Sequence, residues 1–442
     1  MDWVVHRTEV AYVGQRLAGT VGLETNSALR GDYGGFYTFG ICASTRVKLN
    51  NKLGASIGGS IATGGGAGAP DGNGLMYRGY GELFYAVSSY NDLVLGYTGL
   101  NFPSGQIMSQ HFSLGLRHRL PYRFDVAPSH MNKLKLSTVL SFYNFGEEDV
   151  VVGGGINFAN SKSLYTGVRI SQPLNHYLQA ELQMGASMIG AVDGFMNYTG
   201  GIVLSTNNNA RFYPFIRAHV GSGGGGGVKT GGGALGMAAV GLEHKWAALS
   251  IGQWAALDGE ASVPFVELTI ARNLWSNFGW SHLGNQPASG MHAIPFELIT
   301  GSRVQLASGL DNNNLPYNPM PSIFMGARTP LGKFDFAGET LWAAGGGYGA
   351  YAEGIFSAYY HGFSHKSWYW GLNASVLAAG GGGINVGYGI GGVGGVHLGY
   401  EITPEIKVEA LVRYKHFARG AYNPTVVGVQ LIQEFPVWIA RG

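Results

Sequence analysis

Along most of the chain, apolar and polar positions alternate with a period of two. The clearest case lies in residues 396–435. There Val408, Ala410, Val412 and Tyr414 fall on one side of a run, and Lys407, Glu409, Arg413 and Lys415 fall on the other. Such a period marks a β-strand with one apolar face and one wet face. The flanking runs repeat it: Val396, Leu398, Tyr400 and Ile402 alternate with His397 and Glu401, and Val427, Val429, Leu431 and Phe435 with Gln430 and Glu434. A Thr403-Pro404-Glu405 turn joins the first pair and a polar loop over 418–424 joins the second, so three strands form an up-and-down meander.

Earlier segments carry the same signal. Cys42, Ser44, Arg46 and Lys48 alternate with Ile41, Ala43, Val47 and Leu49, and His111, Ser113, Arg117 and Arg119 with Phe112, Leu114, Leu116 and Leu120. Lys133, Lys135, Ser137 and Ser141 alternate with Leu134, Leu136, Leu140 and Phe142. Gln179, Glu181 and Gln183 alternate with Leu178, Ala180, Leu182 and Met184; Arg211, Tyr213, Arg217 and His219 with Phe212, Ile216, Ala218 and Val220; Asp335 and Glu339 with Phe334, Phe336, Thr340 and Trp342. Turn signals such as Asn207-Asn208-Asn209 and Thr329-Pro330-Leu331-Gly332 punctuate the runs, and no capped stretch of helical period interrupts them. Segments of about ten residues over this length predict an all-β, up-and-down antiparallel barrel of roughly 18–24 strands. The expectation is a single transmembrane β-barrel domain spanning 1–442.

Glycine runs are the most individual feature. Gly64, Gly65 and Gly66, then Gly223 to Gly227, then Gly345 to Gly347, then Gly380 to Gly383, each close a strand rising from a turn. They read as one hairpin motif copied several times, although their spacing along the chain is uneven. The stretch 380–396 carries no ionisable group. Glycine faces let another backbone approach closely, so these ends are expected to pack on each other, fold inward, or dock a partner or neighbouring copy.

Composition narrows what the apolar face touches. Charged residues are 12% of the chain, against roughly 25% in an ordinary globular protein. No run of about 18 apolar residues exists, which excludes a transmembrane helix, and a spanning protein without helices must be a closed barrel. A net charge of +2 without a basic cluster gives no footprint for nucleic acid. The single Cys42 excludes an internal disulfide framework. Met1 to Arg7 has no cationic and apolar regions of a signal peptide, so the chain is read as a mature form.

Catalytic and cofactor motifs are weak. Gly225-Gly226-Gly227-Val228-Lys229-Thr230 resembles a phosphate loop only in part, because Val separates Gly from Lys and no βαβ unit surrounds it. There is no HExxH and no CxxC, the histidines are scattered, and no spacing selects a nucleophilic triad. Asn197-Tyr198-Thr199 and Asn373-Ala374-Ser375 match the glycosylation pattern inside strands, where chance accounts for them. The chain is expected to be no enzyme and to hold no metal and no cofactor.

Alternating strands, short turns against longer loops, and aromatic strand ends (Trp246, Trp342, Tyr400, Phe417, Phe435) make the chain resemble Gram-negative outer-membrane β-barrels of the porin and transporter type. The likeness covers nearly the whole chain at the level of the class. Such proteins end on an aromatic residue read by the assembly machinery; here Phe435 or Trp438 takes that place. The resemblance implies an outer-membrane location, membrane lipid and the barrel-assembly machinery as partners, and passage of ions or small solutes through the lumen. With the apolar side outward, Arg46, Lys48, Arg117, Arg119, Lys133, Lys135, Arg211, Arg217, Lys407, Arg413 and Lys415 point inward with Glu181, Asp335, Glu339, Glu409 and Glu434. Rings of such residues set ion preference in pores, and the basic excess leans toward anions. The alternative function is a structural or surface-interaction barrel whose glycine-rich hairpins bind a partner, polymer or neighbouring copy.

Overall fold

The computed structural model describes residues 4–13, 19–31, 33–88, 91–118, 130–146, 149, 162–189, 192, 194–208, 210–276, 286–287, 291–308, 316–331, 333–387 and 389–440. These hold 24 antiparallel strands and no helix. The first seven are β1 (Val4–Val13), β2 (Gly19–Arg30), β3 (Tyr37–Lys48), β4 (Leu53–Gly65), β5 (Leu75–Ala86), β6 (Asn91–Asn101) and β7 (Met108–His118). The next eight are β8 (His130–Asn144), β9 (Lys162–Pro173), β10 (Leu178–Ile189), β11 (Met196–Ser205), β12 (Phe212–Gly224), β13 (Ala234–His244), β14 (Ala247–Ala256) and β15 (Ser262–Ser276). A two-residue β16 (Gln286–Pro287) precedes β17 (Met291–Ala307), β18 (Met320–Leu331), β19 (Phe334–Ala343) and β20 (Ala352–His365). The chain closes with β21 (Trp368–Gly380), β22 (Ile390–Thr403), β23 (Ile406–Phe417) and β24 (Pro424–Ala440), the last running past both Phe435 and Trp438.

The strands do not form one wall. Each pairs with its neighbour in sequence, but β15 returns to β8 (Leu268 opposite Leu140) and β24 returns to β17 (Ile432 opposite Ile299). Two eight-stranded barrels therefore close on themselves, β8 to β15 and β17 to β24, and β1 to β7 form a sheet of seven described strands; in chain order the sheet is the first unit and the barrels are the second and third. The all-β, up-and-down antiparallel barrel expected from the sequence is the class observed, but one continuous barrel wall is not what the pairing forms. The strand count lies in the expected range of roughly 18–24, but closure occurs at eight. The physical reason is visible in the interior. Glycines sit directly opposite aromatic residues of the next strand: Gly54 faces Phe84, Gly241 faces Phe215 and Gly399 faces Tyr369. A Cβ at each of these glycines would overlap the facing ring. A barrel this narrow has room only for side chains, and the missing Cβ atoms supply it.

Orientation is inverted relative to a water-soluble barrel. Leu114, Leu116, Ile251, Phe356, Val376 and Val429 stand exposed on the outside, while Glu267, Arg303, Gln305, Glu409 and Lys415 are buried inside. Short turns lie at one end of every barrel and the longer, glycine-rich connections at the other.

Candidate functional site: filled lumens and a glycine junction

In the third barrel Glu339 is the centre of the interior. It accepts from Arg303 at 2.5 Å, Arg413 at 3.2 Å and Ser357 at 3.2 Å, and from the Tyr359 hydroxyl. The Arg303 guanidinium also lies 3.5 Å from the centre of the Phe324 ring. Toward the turn end, Arg328 bridges Glu297 and Glu409, and Gln430 donates to Glu409 at 2.5 Å. Lys407 ties Glu297 at 2.8 Å to Glu434 at 3.0 Å. Toward the loop end, Lys415 meets Glu353 at 2.5 Å and Gln305 at 3.0 Å. The three layers succeed one another along the lumen.

The second barrel repeats the scheme with other residues. Arg217 joins Glu181 at 2.7 Å and Glu267 at 2.9 Å, Arg169 reaches Glu267 at 2.7 Å, and Lys135 pairs with Glu243 at 2.6 Å. Its loop end is sealed by aromatics, with Phe195 stacked on Trp254 at 5.2 Å and Tyr143 packed beside both. In the first sheet Arg78 pairs with Glu24, which also accepts from Ser60 at 2.5 Å, and Arg117 pairs with Glu82 at 2.5 Å.

The sequence-predicted charges divide accordingly. Lys135, Glu181, Arg217, Asp335, Glu339, Glu409, Arg413 and Lys415 are buried in lumens, and Arg46, Arg117, Lys133, Lys407 and Glu434 are half-buried there. Lys48 is exposed at the turn-end rim. Arg211 is corrected: it is exposed in the turn before β12, with its guanidinium 6.0 Å from the Phe212 ring. Arg119 lies outside the described residues. Sequence reading passed over Glu24, Glu243, Glu267, Glu297 and Glu353, although Glu267 and Glu297 sit in the same alternation as the rest. With these included, Arg117, Lys135, Arg217, Lys407, Arg413 and Lys415 each meet a carboxylate, which reduces the expected basic excess.

The glycine runs share one end of the molecule and one geometry. Gly66, Gly225 and Gly381 each accept from the residue three ahead: Ala69 N at 3.0 Å, Val228 N at 3.1 Å and Ile384 N at 3.4 Å. Each loop is then closed across its base, Gly64 N to Gly74 O at 2.9 Å, Gly223 N to Gly233 O at 2.8 Å, and Ala379 N to Gly389 O at 2.7 Å. Three successive residues take left-handed φ in each, 93°, 60° and 74° at Gly225, Gly226 and Gly227 and 85°, 62° and 69° at Gly381, Gly382 and Gly383. Only glycine enters that region freely, and the first loop tolerates one exception, Ala67 at 55°. Corresponding positions lie 159 residues apart from the first unit to the second, as Tyr37 and Met196 do, and nearly the same distance from the second to the third.

These loop ends hold the three units together in a ring. β4 touches β19, β12 touches β2, and β21 touches β10, so each unit offers the same strand to the same strand of the next. Ser222 Oγ donates to Ala28 O at 2.8 Å, Thr63 Oγ1 donates to Ala343 O, and the corresponding third position is Ala378, which has no hydroxyl. Glycines permit the approach. A Cβ at Gly35 would overlap the backbone of Gly224 and Gly225, one at Gly65 would stand 3.0 Å from Ala350 N, and one at Gly194 would stand 3.6 Å from Gly381 N. The intervening strands β3, β11 and β20 face the shared axis. Tyr37 lies there, its ring 5.5 Å from Tyr198 and 6.5 Å from Trp342, and its hydroxyl donates to Met196 O at 3.1 Å. Gly64, Gly65, Gly66 and Gly223 thus stand at or beside seams between units. Gly227 and Gly383 lie in the loops, Gly380 at the end of β21, and Gly345 and Gly347 between β19 and β20.

No protein family and no curated protein matches the chain. Solved structures of outer-membrane and designed transmembrane β-barrels do. The chain is similar to the copper transporter OprC at 11% identity, over 98% of this chain and 79% of that one, with a TM-score of 0.30. The siderophore receptor PirA from Acinetobacter baumannii gives 9% identity, 98% and 78% coverage and a TM-score of 0.29. A de novo designed transmembrane β-barrel gives 11% identity over 33% of this chain and 98% of its own, with a TM-score of 0.20. At these scores the superpositions carry no argument about activity, and the reading below rests on the residues themselves.

Proposed function

We propose that this chain is a Gram-negative outer-membrane protein with a structural role. In this reading the units form one rigid, non-conducting body held together by their glycine-rich ends, with no catalytic role. The observation that carries it is the combination of an apolar exterior with an interior of buried ion pairs, such as Arg303–Glu339–Arg413. An apolar wall around a closed hydrogen-bonded ladder is what a bilayer requires. Eight strands enclose little more than their own side chains. The porin-like reading, passage of ions or small solutes through a lumen, needs space that these side chains occupy, and it ranks second. In this reading the partners expected from the sequence reduce to lipid and the assembly machinery, because the glycine-rich ends meet the next unit of the same chain.

Refolding into phospholipid vesicles tests the membrane part. The protein is expected to float with the vesicles and to stay with them after a urea wash, with the short turns and loops as its protease-sensitive points. Release of the folded chain by urea would contradict it.

A further inference from the structure

Resting on the membrane reading above, we infer that the axis between the three units is a binding site for one anionic phospholipid. At the loop end the axis is closed: Tyr37 and Phe39 of β3 are 1% and 6% exposed, packed with Trp342 and Tyr198. One step further along each axial strand the same face opens. Ile41 on β3 is 45% exposed, Ile202 on β11 46% and Phe356 on β20 57%. Gly354, between the junction and Phe356, has open space where a side chain would stand. The interface at the loop end thus continues into an apolar cleft, capped above and open toward the turns. Its walls are chemically the same as the lipid-facing exterior, and they come from three units held at a fixed distance.

The open mouth has a charge of its own. The connections that end the axial strands and their flanks carry Lys52, Arg211, Lys333 and Lys366, all exposed, and none enters an ion pair among the described residues. The described residues of the turns 49–52, 174–177, 206–211, 332–333 and 366–367 include no carboxylate. Cations ringing an apolar cleft at the headgroup level match the phosphate and acyl chains of a lipid. The acyl chains lie against Ile41, Ile202 and Phe356, and the phosphate sits among the lysines and Arg211.

The test uses the full chain in vesicles of phosphatidylethanolamine and a phosphatidylglycerol bearing a photoactivatable diazirine on one acyl chain. After delipidation in detergent and irradiation, labelling is expected on β3, β11 and β20 and absent from the outer strands β6, β14 and β23. The surface variant K52Q/R211Q/K333Q/K366Q, which touches no barrel interior, is expected to lower this retained labelling at least about tenfold. Equal labelling of all outer strands would show annular lipid only and overturn the proposal, as would axial labelling unchanged in the variant. A doubled mass in native mass spectrometry without axial labelling would give the cleft to a second copy instead. Failure of the protein to float with the vesicles would overturn the membrane reading itself, and flotation reports that separately.

Discussion

The Glu339 side chain is buried completely and is held by two arginines and two hydroxyls, so its charge is compensated only while all of them keep their places. Removing one member of a buried ion network leaves its partners charged and without a counter-ion, at a cost of about 3–5 kcal/mol. Glu339→Gln is therefore expected to lower the stability of the third barrel by an amount of that order, read as the urea midpoint of its unfolding in vesicles. Asp71 makes the opposite case. Its carboxylate lies at a seam, accepting from Gly66 N at 3.0 Å, and a Cβ on Gly349 of the third unit would stand 2.6 Å from Oδ1. Burial pushes it from the ordinary 3.8 up to about 6. The folded protein then binds this proton more tightly than the unfolded chain, so stability is gained below the unfolded value and lost as pH rises through the folded one. Thermal unfolding is expected to show the seam loosening between about pH 4 and 6, and Asp71→Asn to remove that dependence.

At the level of the element, the alternation of side chains was legible along most strands, whereas Arg211, which it placed inside, stands in a turn. Lys407, Glu409, Arg413 and Lys415 read as the wet face of one strand, and they line one lumen. Closure was not legible, because the same alternation serves a barrel of any size. What decides it is pairing between distant strands, β8 with β15 and β17 with β24. Two signals in the sequence bear on it: the glycines that face Phe84, Phe215 and Tyr369 across neighbouring strands, and the near-constant interval between corresponding glycine loops. The uneven spacing noted from sequence arose from treating the run at 345–347 as equivalent to the other three; it lies in the loop that corresponds to 31–36. The repeated loop also yields a prediction. Two of three seams have a hydroxyl latch, at Thr63 and Ser222, and the third has Ala378. Ser222→Ala is expected to weaken its seam by about 1 kcal/mol, and Ala378→Ser to strengthen the third by a similar amount by reaching the carbonyl of Ser187. Limited proteolysis of the connections between units measures both.

For the molecule as a whole, the candidate site illustrates how a correct reading of faces can leave function open. Lumen-facing charges suit a pore when the wall is wide and suit a filled core when it is narrow. Here Arg217 has Glu181 and Glu267 within 3 Å, and Lys415 has Glu353 and Gln305 at 2.5 Å and 3.0 Å, so these inward charges are engaged with one another. The glycine ends, in turn, are spent on joining the units rather than on standing free as loops. The most direct measurement is single-channel conductance of the refolded protein in a planar bilayer, across a salt gradient. Insertion without steady current is the result predicted for barrels filled by their own ion pairs. Stable, stepwise currents that change with Arg217→Gln or Arg413→Gln would contradict it, because they would place an open path through the lumens.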